Sequence, residues 1–233
     1  MTWPLDVDWQ DLRFGVEIEF AGDAPDLSKL EPGWSIMSEK LLCDERGMPT
    51  GAELISPPLA WDEREQIRRM TEWLKRSGAA ANWNCGLHVH VDLSAWGEEV
   101  VAPLLDAALR TQDALRRLLR TAGHRLIFCP PVTLKMRERY VKEPGSRALH
   151  NPGRPQSHRC GINARAWYDN GTVEIRFANG SLEYGEIVRT VELCLRWTAA
   201  VGAGKALPDE PKALARALGA PPEGYPPPQE PPL

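Results

Sequence analysis

Six residues with chemistry to offer, Glu17, Glu19, His88, His90, Glu174 and Arg176, sit inside three short apolar runs. Residues 85–94 read CGLHVHVDLS, residues 15–20 read GVEIEF, and residues 172–177 read TVEIRF. Successive side chains of a strand point to opposite faces. Leu87, Val89 and Val91 then share one face, and His88, His90 and Asp92 the other. Val16, Ile18 and Phe20 separate in the same way from Glu17 and Glu19, and Val173, Ile175 and Phe177 from Glu174 and Arg176. One such strand is explained by a face turned to water. Polar faces of Glu-Glu, His-His and Glu-Arg, in place of Thr, Lys and Ser, are instead the residue types of a metal and phosphate site.

Glu53, in GAELISPPL, adds a further carboxylate to this set. Carboxylates brought together on one face raise one another's pKa and destabilise the fold, and Arg176 offsets only one of them. Hard divalent cations are the natural compensation. Magnesium prefers carboxylate oxygens and bridges them to nucleotide phosphates, and a Glu-x-Glu pair can serve two ions. Imidazole tolerates magnesium or manganese, or its N–H can donate to phosphate. Arg176 offers a planar fork for a phosphoryl group in transfer. The pattern suggests ATP-linked phosphoryl chemistry with magnesium. His-x-His with acidic residues also builds zinc or manganese hydrolase sites, so metal-assisted hydrolysis stays open.

These residues need a sheet to hold them. Strands are expected at 12–20, 34–42, 51–55, the histidine run and the TVEIRF run. A helix is expected over DEREQIRRMTEWLKRSG, capped by Asp62 or a neighbour and ended at Gly78. EEVVAPLLDAALRTQDALRRLLRTAG carries Val101, Leu104, Leu105, Ala108, Leu115, Leu118 and Leu119 at helical spacing, and YGEIVRTVELCLRWTAAVG reads as a second core helix. CGINARAW and GTVEIRFAN read as a hairpin turning on Asp169-Asn170-Gly171. Residues 123–158, rich in Pro, Gly and Arg, read as an irregular connection, either a lid or a solvated loop. The expected architecture is α+β: an antiparallel or mixed sheet, helices on its apolar face, and an open catalytic face. Residues 1–205 form one catalytic domain, and 206–233 a short helix near 211–218 and a flexible Pro-rich tail without core residues.

Composition narrows the partners. A net charge of −4 gives no general attraction to nucleic acid or an anionic membrane. No apolar run approaches the roughly 20 residues of a membrane-spanning helix. MTWPLDVDWQDLRF lacks the basic start and apolar stretch of a signal peptide. Cys43, Cys85, Cys129, Cys160 and Cys194 are scattered, with no CxxC pair, as reduced thiols of a cytoplasmic protein would be. Cys85-x-x-His88 lacks the second pair that a structural zinc site needs.

GVEIEF, GAELISPPL, GLHVHVD and GTVEIRFANGSLE, in that order, resemble the amidoligase family, carboxylate–amine ligases with the glutamine synthetase/glutamate–cysteine ligase fold. GLHVHVDLS is also similar to the histidine strand of glutamine synthetase. The resemblance spans roughly residues 14–197. It implies ATP-dependent joining of a small-molecule or peptide carboxylate to an amine through an acyl phosphate. It implies that Glu17, His88 and Glu174 hold the magnesium nearest the ATP phosphates, and Glu19 and Glu53 the magnesium nearest the carboxylate. Arg176 would stabilise the phosphoryl group, His90 would touch phosphate or substrate, and Asn163 stands where the family has a polar residue before the last hairpin. Two features depart from the pattern. Ser38-Glu39-Lys40 stands where family members often carry Asp-x-Ser, and the stretch between the histidine strand and the last hairpin is compact. Selection of the amine would then be reduced, or supplied by a second copy of the chain or another protein. A metal-dependent hydrolase on the same face, or a non-catalytic nucleotide- or peptide-binding descendant, are the rival readings.

Overall fold

The computed structural model describes residues 3–22, 25–38, 50–150 and 160–231. Strands β1 (Phe14–Phe20), β2 (Ser35–Ser38), β3 (Ala52–Ile55), β4 (Gly86–Asp92), β5 (Ile162–Asn163) and β6 (Thr172–Asn179) form one sheet, ordered β2-β3-β1-β4-β6-β5. Every neighbouring pair is antiparallel, so the mixed alternative falls away. The helices are α1 (Glu65–Arg76), α2 (Val101–Leu118), α3 (Leu134–Lys142), α4 (Ala166–Asn170), α5 (Tyr184–Gly202) and α6 (Pro211–Leu218).

The alternation in sequence becomes two faces in space. Val16, Ile18, Phe20, Leu54, Leu87, Val89, Val91, Val173 and Ile175 are all buried in one apolar core. Helix α5 lies across β4 and β1, and α2 lies against β6. Trp197 Nε1 on α5 donates to Thr111 Oγ1 on α2 at 3.0 Å, so the two core helices are joined by a satisfied buried polar contact. Removing so many branched and aromatic side chains from water supplies the main drive for the layer arrangement, about 25 cal/mol per Å² of apolar surface.

Several elements differ from expectation. Helix α1 starts at Glu65, because Trp61–Glu63 forms a 3₁₀ turn in which the Glu63 carboxylate accepts the Ala60 N–H at 2.8 Å. The strand expected over 34–42 is present as Ser35–Ser38, and its remainder lies outside the described residues. The basic stretch after residue 123 holds α3, which buries Met136 and Tyr140, one turn apart, under its charged residues. Arg154 and Arg159 lie outside the described residues. The last hairpin is not continuous: only Ile162 and Asn163 pair with β6, and the return path contains α4, closed by Gly171 at φ +77°. The Pro-rich tail, expected to carry no core residue, buries Tyr225, and Asn179 Nδ2 donates to Pro226 O at 2.9 Å.

Candidate metal centre

Register places the polar side chains in rows across the sheet. Glu19 on β1 stands opposite Glu53 on β3, Glu17 opposite His88 on β4, and His90 opposite Glu174 on β6. Asn163 on the short β5 stands opposite Glu174 from the other side. Between Leu87 and Val89 the pairing with β6 slips, so β6 carries an extra residue beside His88. Such a bulge re-aims side chains. Here Arg176 N–H donates to Gly161 O at 2.8 Å, and its guanidinium comes to His88 and Glu174.

The result is a tight polar network. Glu17 Oε2 lies 2.9 Å from His88 Nδ1, and Glu17 Oε1 lies 3.2 Å from His90 Nε2. Glu174 Oε1 is 3.7 Å from His88 Nδ1 and 3.9 Å from His90 Nε2, and it accepts from Arg176 Nη1. Asn163 Nδ2 donates to Glu174 Oε2 at 2.8 Å, and Asn163 Oδ1 accepts the Arg165 N–H. Glu19 Oε2 accepts the Gly86 N–H, and Oε1 lies 3.5 Å from His88 Nε2. The face is not open to water as expected. His88, Glu174, Arg176, Asn163 and Glu19 are buried, while Glu17, Glu53 and His90 are partly buried.

Mutual repulsion of the carboxylates, expected from their number, does not dominate. Burial pushes the pKa of Glu17 up, but hydrogen bonds from His88 and His90 outweigh it and hold the carboxyl well below its usual range. Glu174 follows the same course, with burial outweighed by the charges of Arg176, His88 and His90. Burial alone would lower the pKa of His90, yet Glu17 and Glu174 raise it. Arg176 is likewise raised, its burial overcome chiefly by Glu174. The imidazoles and the guanidinium thus compensate what the bare count of acids left unbalanced.

Two donor groups fit a cation. Glu17, His90 and Glu174 each offer an atom within 4.8 Å of the others, and so do Glu17, Glu53 and His88. Glu17 belongs to both. Carboxylate oxygens with one imidazole suit magnesium or manganese. The surroundings of His88 Nδ1 point the same way. It faces the acceptors Glu17 Oε2 and Glu174 Oε1 and, at 3.3 Å, the donor Arg176 Nη1. One nitrogen cannot satisfy donor and acceptors together, and a cation that drew the shared Glu17 carboxylate off the ring would relieve the conflict. The grouping differs from that implied by the resemblance: His90 joins Glu17 and Glu174, His88 joins Glu53, and Glu19 is in neither group among the described residues. Cys85 stays a thiol, its pKa pushed up by burial to about 12, and Cys85 Sγ donates to Asn82 Oδ1 at 3.3 Å.

Sequence reasoning missed two contributors. Arg125 is buried, its Nη1 donates to Cys85 O at 2.6 Å and lies 4.0 Å from Glu19 Oε2. A Cβ on Gly86 would sit 2.1 Å from Arg125 Nη2, so the bare glycine before the histidines was the available signal. Thr172 Oγ1 lies 2.9 Å from His90 Nδ1. A cavity of about 190 Å³ adjoins this end of the network, lined by Gly15, Glu17, Ser56, His90, Asp92 and Thr172 among others. It exists partly because Gly15, opposite His90, has no side chain to fill it.

The α+β chain gathers carboxylates, two imidazoles and a guanidinium on one sheet face, a donor set that could hold a metal ion. The chain belongs to the family described as "putative amidoligase enzyme", whose model matches residues 24–198, and so to a family of amide-forming ligases. No curated protein matches the chain. Strand β1, with Glu17 and Glu19, precedes the matched span, and its pairing with β3 and β4 joins it to the matched part. Among the described residues, no helix is long and apolar enough to cross a membrane.

Proposed function

We propose that the chain is an ATP- and magnesium-dependent ligase of the glutamine synthetase/glutamate–cysteine ligase kind, joining a small-molecule or peptide carboxylate to an amine. The observation that carries this reading is the sharing of Glu17 between two hard-donor groups, with Arg176 against one of them, in a member of an amidoligase family. Bound magnesium, or manganese in its place, neutralises phosphate oxygens. A substrate carboxylate oxygen attacks the γ-phosphorus of ATP and ADP leaves. The amine nitrogen then attacks the acyl phosphate carbon, inorganic phosphate leaves, and the amine gives up a proton.

The chain's own residues do the holding. Glu17, Glu53, Glu174, His88 and His90 keep the cations against the face, and Glu19, tied to the Gly86 N–H, borders the carboxylate end. Arg176 is held beside Glu174 through Nη1, so its charge is in place before the phosphoryl group arrives. Asn163 acts through Glu174: both its polar atoms are engaged, one with Glu174 and one with the Arg165 N–H. His90 borders the small cavity, from which it can meet phosphate or substrate.

Calorimetric titration with a non-hydrolysable ATP analogue, with and without magnesium, tests the proposal. Nucleotide binding that requires magnesium supports it. Tight zinc retention with no nucleotide binding would favour a metal-dependent hydrolase instead, and magnesium-independent nucleotide or peptide binding a non-catalytic descendant.

A further inference from the structure

Asn170 ends α4, Gly171 turns the chain in the left-handed conformation at φ +77°, and Thr172 opens β6. The turn brings two side chains together: the Thr172 hydroxyl donates to Asn170 Oδ1 at 2.6 Å. A hydroxyl has one hydrogen. With that hydrogen committed to Asn170, Thr172 Oγ1 meets His90 Nδ1, 2.9 Å away, with lone pairs. Nδ1 must therefore carry a proton and donate. In a neutral imidazole the other nitrogen then holds a lone pair. That nitrogen, Nε2, points between Glu17 Oε1 at 3.2 Å and Glu174 Oε1 at 3.9 Å, the other members of its donor group.

We propose that Thr172, itself held by Asn170, is a positioning residue that fixes His90 as the Nδ1–H tautomer and thereby makes its Nε2 a ligand of the cation shared with Glu17 and Glu174. A histidine that binds metal almost always donates its second ring N–H to an outer partner, which sets tautomer and ring orientation. The Thr172 hydroxyl fills that place. His88 faces the same Glu17 carboxylate through its opposite nitrogen, Nδ1, so the two histidines are not interchangeable. The role of the cation rests on the function proposed above, whereas the Nδ1–H contact to Thr172 belongs to the metal-free protein, in which Glu17 Oε1 competes for the ring proton from the Nε2 side.

Protein labelled with ¹⁵N in its imidazoles provides the test. Long-range proton–nitrogen correlation spectra of the metal-free protein at alkaline pH report which ring nitrogen carries the proton, and loss of signals in His90→Gln identifies the ring. Wild type and Thr172→Ser should show Nδ1–H. Thr172→Val should populate Nε2–H and weaken binding of Mn²⁺ alone, followed by electron paramagnetic resonance, by roughly 10–100-fold. Asn170 is exposed, so Asn170→Ala supplies the same readouts should Thr172→Val not fold. An Nε2–H ring in wild type, or an unchanged tautomer and Mn²⁺ affinity in the folded variant, overturns the inference. Failure of the nucleotide titration with the tautomer intact would instead remove the ligase reading and leave the positioning of His90 standing.

Discussion

Glu17 and His88 stand opposite one another on β1 and β4, and the carboxylate reaches the imidazole Nδ1 at 2.9 Å. The same carboxylate turns its other oxygen to His90, so one acid joins both histidines and both donor groups. Whatever cation enters the face must compete with this arrangement, and Glu17 is the residue on which metal binding should depend most.

Glu17→Gln should keep the fold and weaken Mn²⁺ binding by at least about a hundredfold, since even outer-shell changes cost roughly 10–100-fold. Because the histidines stabilise the ionised carboxylate, the metal-free variant should also be less stable at neutral pH, by on the order of 1 kcal/mol. Melts and Mn²⁺ titrations check both parts. A metal-free variant more stable than wild type would mean that carboxylate repulsion governs the face after all.

The metal-free protein should show a bounded pH optimum of stability. Glu17 and Glu174 have lowered pKa values, so their contribution is present above the ordinary carboxylate pKa of about 4.3 and is lost as pH falls further. His90 has a raised pKa, so its contribution is complete below the ordinary histidine value of about 6.5 and is lost as pH rises through its folded value. The site's contribution should therefore peak between about 4.3 and 6.5. Melts in a chelator from about pH 4 to about pH 9 should show the decline on the alkaline side of about 6.5, and His90→Gln should flatten it.

Arg176→Lys keeps the charge and loses the planar fork. If the guanidinium stabilises the phosphoryl group in transfer, single-turnover ADP release with the cognate carboxylate should slow by about a hundredfold or more, with nucleotide affinity falling only modestly. Equal rates would reduce the residue to a neutraliser of Glu174.

Gly161→Ala tests the backbone that aims Arg176. A Cβ there would lie 1.8 Å from the buried Phe177 ring, one residue beyond Arg176. The ring cannot yield without moving β6, so the loss should be about 1–3 kcal/mol, read from denaturant midpoints.

Period-two alternation carries its own meaning, which is why β1, β4 and most of β6 were legible with their polar faces assigned. The helices α2 and α5 were legible for the same reason at a period of 3.6. The bulge beside His88 left no such trace, because one extra residue in a strand changes neither composition nor local propensity. Arg125 was hidden because its partner is a backbone carbonyl 40 residues away, and such contacts have no local pattern. Helix α3 was masked by its charge: only Met136 and Tyr140 are buried in it. The balance of charge also escaped the sequence. Counting acids predicts repulsion, whereas distances of 2.9 Å and 3.2 Å from Glu17 to the two histidines decide the sign.

The most direct measurement is anomalous diffraction from crystals grown with Mn²⁺ and a non-hydrolysable ATP analogue. One peak is expected among Glu17, His90 and Glu174, a second among Glu17, Glu53 and His88, and analogue phosphates adjoining them. Manganese bound away from Glu17, with no phosphate on this face of the sheet, would contradict it.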